Sequence, residues 1–272
     1  MSVADGSGTV PGRGFGEVAE LYDAGRPGYA DALVTEVLAY AGLGDRAAVE
    51  FGAGTGKATV PFAARGVRLV SVEPDPLMAQ VLRRNTAGYP QVQVEAAGFE
   101  DWDRGGRRFG LVFAATCWHW FAPERRWDLV HAALEPGGAV ALFWNPQAVV
   151  DAGLHAELAE IDRRYGVASS PHAALASGYG DEPGDAQGDA GWPGDECRRD
   201  PRFTGLRSVR YRQQARYETE RYRGFLASVS AYQVLPDERR ERALAETARL
   251  LDARGGGIDM LHLSDLFLAR AR

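Results

Sequence analysis

Apolar residues along the first half of the chain change their period several times. Over residues 15–22 and 29–41 they recur at helical spacing, with Leu33 and Val37, and Val34 and Leu38, on one face. From Arg46 onward, short continuous apolar runs take over. RAAVEF, VRLVSVEP, VQVEAAGF, FGLVFAAT and AVALFWNP predict five buried strands. GKATVPFAARG, DPLMAQVLRRN and APERRWDLVHAALEPGG, which lie between them, predict helices, the second capped by Asp75 with Pro76 in its first turn. Continuous apolar strands alternating with helices predict an α/β fold, a parallel sheet covered on both faces.

Beyond Pro146 the pattern changes. DAGLHAELAEIDRRYG predicts a helix, and the Gly-, Asp- and Pro-rich stretch 177–196 predicts a mobile loop with Trp192 as its one anchor. LRSVRYRQQARY alternates like a strand, residues 219–230 and 237–254 read as helices, and MLHLSDLFLARA reads as a closing strand. Arginines crowd this second half. Alternation puts Arg207, Val209 and Tyr211 on one face and Arg210 and Arg212 on the other, which predicts solvated strand edges and not a basic stripe.

Composition narrows the function classes. The 272 residues hold 31 Lys and Arg against 37 Asp and Glu, a net charge of −6, which argues against a nucleic-acid partner. Two cysteines, Cys117 and Cys197, make no disulfide framework. The five histidines show no metal-ligand spacing, so no metal is expected. The N-terminus lacks the basic start and apolar core of a signal peptide, and no apolar run is long enough for a bilayer. We expect a cytoplasmic protein, monomer or homodimer, without a membrane partner.

The chemistry concentrates in AVEFGAGTGKAT, where Gly52, Gly54 and Gly56 follow an acidic residue at the end of the first strand. A glycine-rich turn between strand and helix is where open α/β sheets hold ligands. A phosphate-binding P-loop fails, because Phe51 stands where its first glycine belongs and Ala58 where its hydroxyl belongs. A dinucleotide fingerprint is weak, because Lys57 occupies the third glycine position. The remaining pattern is acidic-x-Gly-x-Gly-x-Gly. Here Glu50 would meet an ammonium group directly or through water, and bare backbone would admit a compact ligand. The next strand ends in Glu73, placed to grip a ribose diol, with Pro74 and Met78 as apolar surface for a purine.

These elements resemble the class I S-adenosylmethionine-dependent methyltransferases, from about Phe15 to Pro146 and more loosely to the C-terminus. The resemblance implies a Rossmann-like seven-stranded, mostly parallel sheet whose last strand is antiparallel, with S-adenosyl-L-methionine as cofactor and S-adenosyl-L-homocysteine as product. It sets Gly52, Ala53 and Gly54 against the methionine part, Glu73 on the ribose and Met78 near the adenine. AGFEDW resembles the adenine-edge element; many members have aspartate where this chain has Gly98-Phe99, leaving the contact to the backbone of Phe99. GEVAELYDAGRPGY is similar to the opening segment of the small-molecule subgroup, making Tyr22 and Arg26 closing residues over the cofactor. Four regions follow: a loose 1–14, a cofactor-binding core over 15–146, an insertion over 147–200, and the last two strands with lid helices over 201–272.

The acceptor end should follow the fourth strand. There Ala115 and Thr116 would line the methionine part, and Cys117 to Phe121 would face the open pocket. His119 is the one general-base candidate, with Trp120 beside it; some carboxylate-methylating relatives use a similar His-Trp pair. WNPQ, which departs from the motif of amino-methylating enzymes at its third and fourth positions, reads as a strand end. In the lid, Phe225, Leu226 and Val229 would pack downward, while Ser228 and Tyr232 would present hydroxyls to a polar small-molecule acceptor. The expected activity is methyl transfer to an O, N or C atom of that acceptor. The competing readings are non-methylating chemistry on the same cofactor fold, a nicotinamide-dependent oxidoreductase, and a tRNA or protein methyltransferase.

Overall fold

The structure, a computed structural model, describes residues 19–181 and 193–272. The expected start of the first helix at Phe15, the loose segment 1–14 and Trp192 lie outside the described residues. Five short strands enter the sheet in parallel fashion or at its parallel edge: β1 (Ala48–Phe51), β2 (Leu69–Val72), β3 (Val92–Glu95), β4 (Phe109–Ala115) and β5 (Leu134–Trp144). Their order is β3-β2-β1-β4-β5, so the chain reverses direction across the sheet between β1 and β4. That reversal leaves a crevice at the strands' carboxyl ends, the usual ligand position of such sheets. Every residue of β1 and β2 is buried, as continuous apolar runs require of central parallel strands.

Helices cover both faces. Val49 and Phe51 pack into one core with Val112, Trp118, Trp127 and Phe267. Ala48 points into the other, with Phe62, Phe113, Phe143 and helix α2 (Asp31–Ala41). Helix α1 (Ala19–Gly25) precedes α2, and α3 (Thr59–Ala63) and α4 (Pro76–Asn85) follow β1 and β2. Asp75 caps α4 by accepting from the Leu77 and Met78 amides, with Pro76 at its first position, as expected.

Helix α5 (Arg126–Ala133) stops four residues before the glycines expected to end it, because Leu134 already begins β5. The last strand, β8 (Gly257–Ala271), is antiparallel to β5, as the resemblance implied. Strand β6 (Gln147–Val149) pairs with β8 in the register that β5 set: Trp144 faces Asp265 and Gln147 faces His262. β5 and β6 are thus one sheet column interrupted at Asn145-Pro146, so the segment read as an insertion begins inside the sheet.

The long β7 (Phe203–Glu218) takes the other edge of β8. The two run past β5 and carry a third core, built with α6 (Ala152–Tyr165), α8 (Thr219–Ala227), α9 (Ser230–Gln233) and α10 (Asp237–Ala253). Within the stretch read as a loop, Pro193–Arg198 forms α7. Its Glu196 accepts from Trp127 Nε1 at 2.9 Å and from the Arg126 guanidinium, and its Cys197 is fully buried. The arginine reading also needs a correction: Arg210 is not solvated but buried against Asp265, Nε to Oδ1 2.5 Å. Among the described residues no helix is long and apolar enough to cross a membrane.

Candidate active site

A cavity of about 600 Å³ opens beyond the carboxyl ends of β1, β2, β4 and β5. The turn after β1 forms one end of it. Gly52 and Gly54 line the cavity in left-handed conformations, φ +65° and +58°. A Cβ on Gly52 would sit 2.7 Å from Cys117 Sγ, whereas one on Gly54 would meet nothing and project into open space. Gly52 is therefore required by packing beneath the loop, and Gly54 keeps the cavity itself clear. Gly56 and Ala53 do not line the cavity; Gly56 lies against Leu82 and Ala53 is buried, its amide bonded to the Val72 carbonyl.

Glu50 stands apart from the cavity as well. It is 1% exposed, accepts from the Thr59 hydroxyl at 2.5 Å through Oε2, and leaves Oε1 without a partner. Burial pushes its pKa up to about 8. It supports the loop from below, so the expected direct contact with a ligand ammonium is not available to it.

Glu73 does line the cavity. Its Oε2 accepts the Gly54 amide at 2.7 Å and its Oε1 the Asp75 amide at 2.9 Å, so one carboxylate ties the glycine loop to the start of α4. Burial raises its pKa to about 7, against the lowering effect of the two amide bonds. Pro74 and Met78 continue the wall, Met78 packing against Ala19, Val81 and Tyr22. Gly98 and Phe99 close that side, Phe99 stacked on Phe121 with centroids 4.1 Å apart.

From the N-terminal side, Tyr22 and Arg26 reach the cavity. Helix α1 is tied down by Glu20 to Arg84 and by Asp23 to Lys57 and Asn85. The Arg26 guanidinium lies over the rings of Tyr22 and Phe225, and its Nε is buried without a partner. Phe225 belongs to α8, so α1 and α8 meet across the mouth.

Another part of the wall follows β4. Ala115 and Thr116 line the cavity, and Thr116 is the one non-glycine residue with positive φ among those described, +57°. A β-branched residue held there stores roughly 1–3 kcal/mol of strain. It is held by its own amide on the Phe143 carbonyl, 2.8 Å, and by its hydroxyl against that of Tyr29, 2.9 Å. The aromatic cluster then divides. Trp118 turns inward against Phe121 and Trp127, while His119 and Trp120 line the cavity, their rings 4.8 Å apart. Burial, and secondarily Arg126, lowers the His119 pKa, and its Nδ1 has no partner.

Two expected substrate contacts are not in the cavity. The Ser228 hydroxyl is buried and donates to the Phe225 carbonyl at 2.7 Å. Tyr232 is fully buried and donates to Asp162 Oδ1 at 3.2 Å. The sequence predicts one helix over 219–230, but α8 ends at Ala227 and α9 begins at Ser230, and Val229 and Ser230 line the cavity instead. Sequence reading also missed Asn145 and Gln147, which line the cavity from the break between β5 and β6, with Gln147 Oε1 unpartnered. The break itself, Asn-Pro in a strand run, was the available signal. Missed too was the buried group behind Ser170, where Asp162 accepts from the Ser170 hydroxyl and lies 3.0 Å from His172, which contacts Tyr222 at 2.9 Å.

Comparison with known proteins places this geometry. Residues 48–138 match the family model described as a methyltransferase domain. An uncharacterized methyltransferase of Mycobacterium tuberculosis is 35% identical over 131 residues, 48% of this chain and 51% of that protein. An uncharacterized methyltransferase-like protein of Schizosaccharomyces pombe is 32% identical over 127 residues, 46% and 48% of the two chains. The chain thus spans about half the length of the curated relatives it matches. Among solved structures, one proposed to be a type II methyltransferase, from Anaeromyxobacter dehalogenans, aligns with TM-score 0.60 over 90% of this chain and 97% of that one, at 21% identity. A phosphoethanolamine N-methyltransferase of Haemonchus contortus, in complex with phosphomonomethylethanolamine and S-adenosylhomocysteine, aligns with TM-score 0.51 over 94% of this chain and 57% of that one, at 12% identity. At these identities the likeness is one of fold.

Proposed function

We propose that the chain is a class I S-adenosylmethionine-dependent methyltransferase that methylates a small-molecule acceptor in the cytoplasm, with S-adenosyl-L-methionine against the glycine loop and the acceptor beside His119; the match of residues 48–138 to a methyltransferase domain supports the reading. The observation that carries this reading is the company the cavity wall keeps: bare backbone at Gly52 and Gly54 and the Glu73 carboxylate line the same space as His119 and Trp120. The residues present fit the cofactor. A side chain at Gly54 would fill the space left for it, and Glu73 offers two carboxylate oxygens near which hydroxyl donors gain charge-assisted bonds. Pro74, Met78 and Phe99 supply apolar surface for an adenine.

The cofactor supplies a methyl carbon on a sulfonium, already a good leaving group, so positioning accounts for most of what the protein must do. Trp120, Phe225 and Val229 shape the acceptor end, and α1 and α8 meet over the mouth to exclude water. His119 stays uncharged at neutral pH because its pKa is lowered, and so can take a proton from an acceptor hydroxyl or amine. An ionised carboxylate would need no base. The cavity wall contributed by α8, Val229 and Ser230 is the lid in this reading.

Methyl-labelled S-adenosylmethionine incubated with the protein and a panel of small carboxylates, phenols and amines tests the activity. Label in an organic product supports transfer. Cofactor binding without label in any product, tRNA or protein would favour non-methylating chemistry.

A further inference from the structure

Arginines are dense along β7 and the start of α8, and nearly all have acidic partners. Arg207 pairs with Glu36, Arg210 with Asp265, Arg212 with Asp181, Arg216 with Asp259, and Arg223 with Glu220 and Glu241. Arg221 makes no ion pair among the described residues; its guanidinium lies over the Tyr217 ring, 5.0 Å from the centroid.

Arg221 borders a second groove, of about 520 Å³, between residues 27–32, the middle of β7 and His262 to Ser264 of β8. None of its described lining residues is acidic, although Asp and Glu outnumber Lys and Arg in the chain. Its charged wall is Arg212 and Arg221, its flat walls Tyr29 and Tyr211; Tyr217 lies buried beneath Arg221 and His262. His262 stacks on Tyr217, centroids 5.5 Å apart, and its Nε2 has no partner, so turning the ring toward the groove breaks no hydrogen bond. Burial and Arg221 hold its pKa down to about 4, which leaves Arg221 as the groove's unpaired charge at neutral pH.

We propose that this groove binds a small organic anion, a carboxylate or phosphate ester on a flat apolar body, with Arg221 at the charge and the tyrosines at the body. The chemistry follows from the walls. A guanidinium without a carboxylate partner recognises an anion by charge-assisted bonds, and aromatic rings favour a flat ligand. The site is separate from the cavity of the proposed methyl transfer, sharing only Asn145 with it.

Titration calorimetry on the full chain tests it, with phenyl phosphate, benzoate and inorganic phosphate as probes. One organic probe should bind one-to-one and at least tenfold tighter than inorganic phosphate, because the aromatic walls act only on the organic body. The tighter of the two identifies phosphate ester or carboxylate. Arg221 is exposed, so Arg221→Ala should fold, with unchanged melting temperature, and weaken binding at least tenfold. Arg221→Lys should retain part of the affinity. Equal weak binding of all three probes would mean an adventitious ion only, and no binding would equally overturn the site. So would affinity lost in Arg26→Ala but kept in Arg221→Ala, which puts the anion in the main cavity.

Discussion

Replacing Glu50 by glutamine should change how stability depends on pH, and the structure gives the size of the change. Glu50 is 1% exposed and its pKa is pushed from the ordinary 4.5 to about 8 by burial. The folded chain therefore keeps a proton that the unfolded chain gives up above pH 4.5. This group favours folding most below pH 4.5, and its contribution is lost steadily until about pH 8. Between pH 6 and pH 8 the loss is about 2.3 kcal/mol, from a slope of 1.36 kcal/mol per pH unit that flattens as pH nears 8. Glutamine keeps an oxygen for the Thr59 hydroxyl and has no proton to lose. Urea unfolding of both proteins at pH 6, 7, 8 and 9 isolates this one group, since all other titrations cancel in the difference. The variant should gain about 3 kcal/mol on the wild type from pH 6 to pH 9, most of it by pH 8. Parallel pH profiles would refute the reasoning, by showing that Glu50 reaches solvent or a cation.

Other perturbations have equally definite outcomes. Glu73→Ala should weaken S-adenosylhomocysteine binding by about 1.5–3 kcal/mol for each charge-assisted bond lost; calorimetry that finds equal affinity would remove Glu73 from the site. With a folded pKa of about 7, Glu73 gains a proton as pH falls through 7, so wild-type cofactor affinity should decline from pH 7.5 to 6, and a flat profile would contradict the assignment. Gly52→Ala, with its Cβ 2.7 Å from Cys117 Sγ at φ +65°, should cost about 1–3 kcal/mol of stability. Adding Cys117→Ala should recover part of that in thermal melts, and strict additivity would rule out the contact. His119→Ala should lower turnover with cofactor affinity intact. If His119 is the base, its lowered pKa confines any loss of activity to below pH 6.5; a base-type fall that begins above pH 6.5 would contradict the assignment.

The parallel core was legible because its strands are buried on both faces, which leaves uninterrupted apolar runs such as AVEF and LVSV. The start of α4 was legible for a local reason: the Asp75 side chain accepts from the neighbouring Leu77 and Met78 amides, and Pro76 suits the first helical position. Residues whose position depends on chain ends or tertiary partners were not. Nothing local marks the stop of α8 at Ala227, so Ser228 and Tyr232 were read toward the cavity although both satisfy their hydroxyls inside. Glu50 alternates correctly with Phe51, but which face of β1 meets the ligand depends on the turn beyond it. Helix α7 holds through Glu196 with Arg126 and Trp127, some seventy residues away in sequence, a pairing invisible in its glycine-rich composition. The Asp162, His172 and Tyr222 group likewise joins three separated segments.

The measurement that bears most directly on the central claim is calorimetric titration of S-adenosyl-L-homocysteine into the wild-type chain and Gly54→Val. Gly54 is left-handed, φ +58°, and a side chain there would project into the cavity. The account predicts one-to-one binding to the wild type and none detectable to the valine variant, with the fold of both intact by circular dichroism. No binding to the wild type at millimolar ligand, or equal affinity in the two proteins, would contradict it.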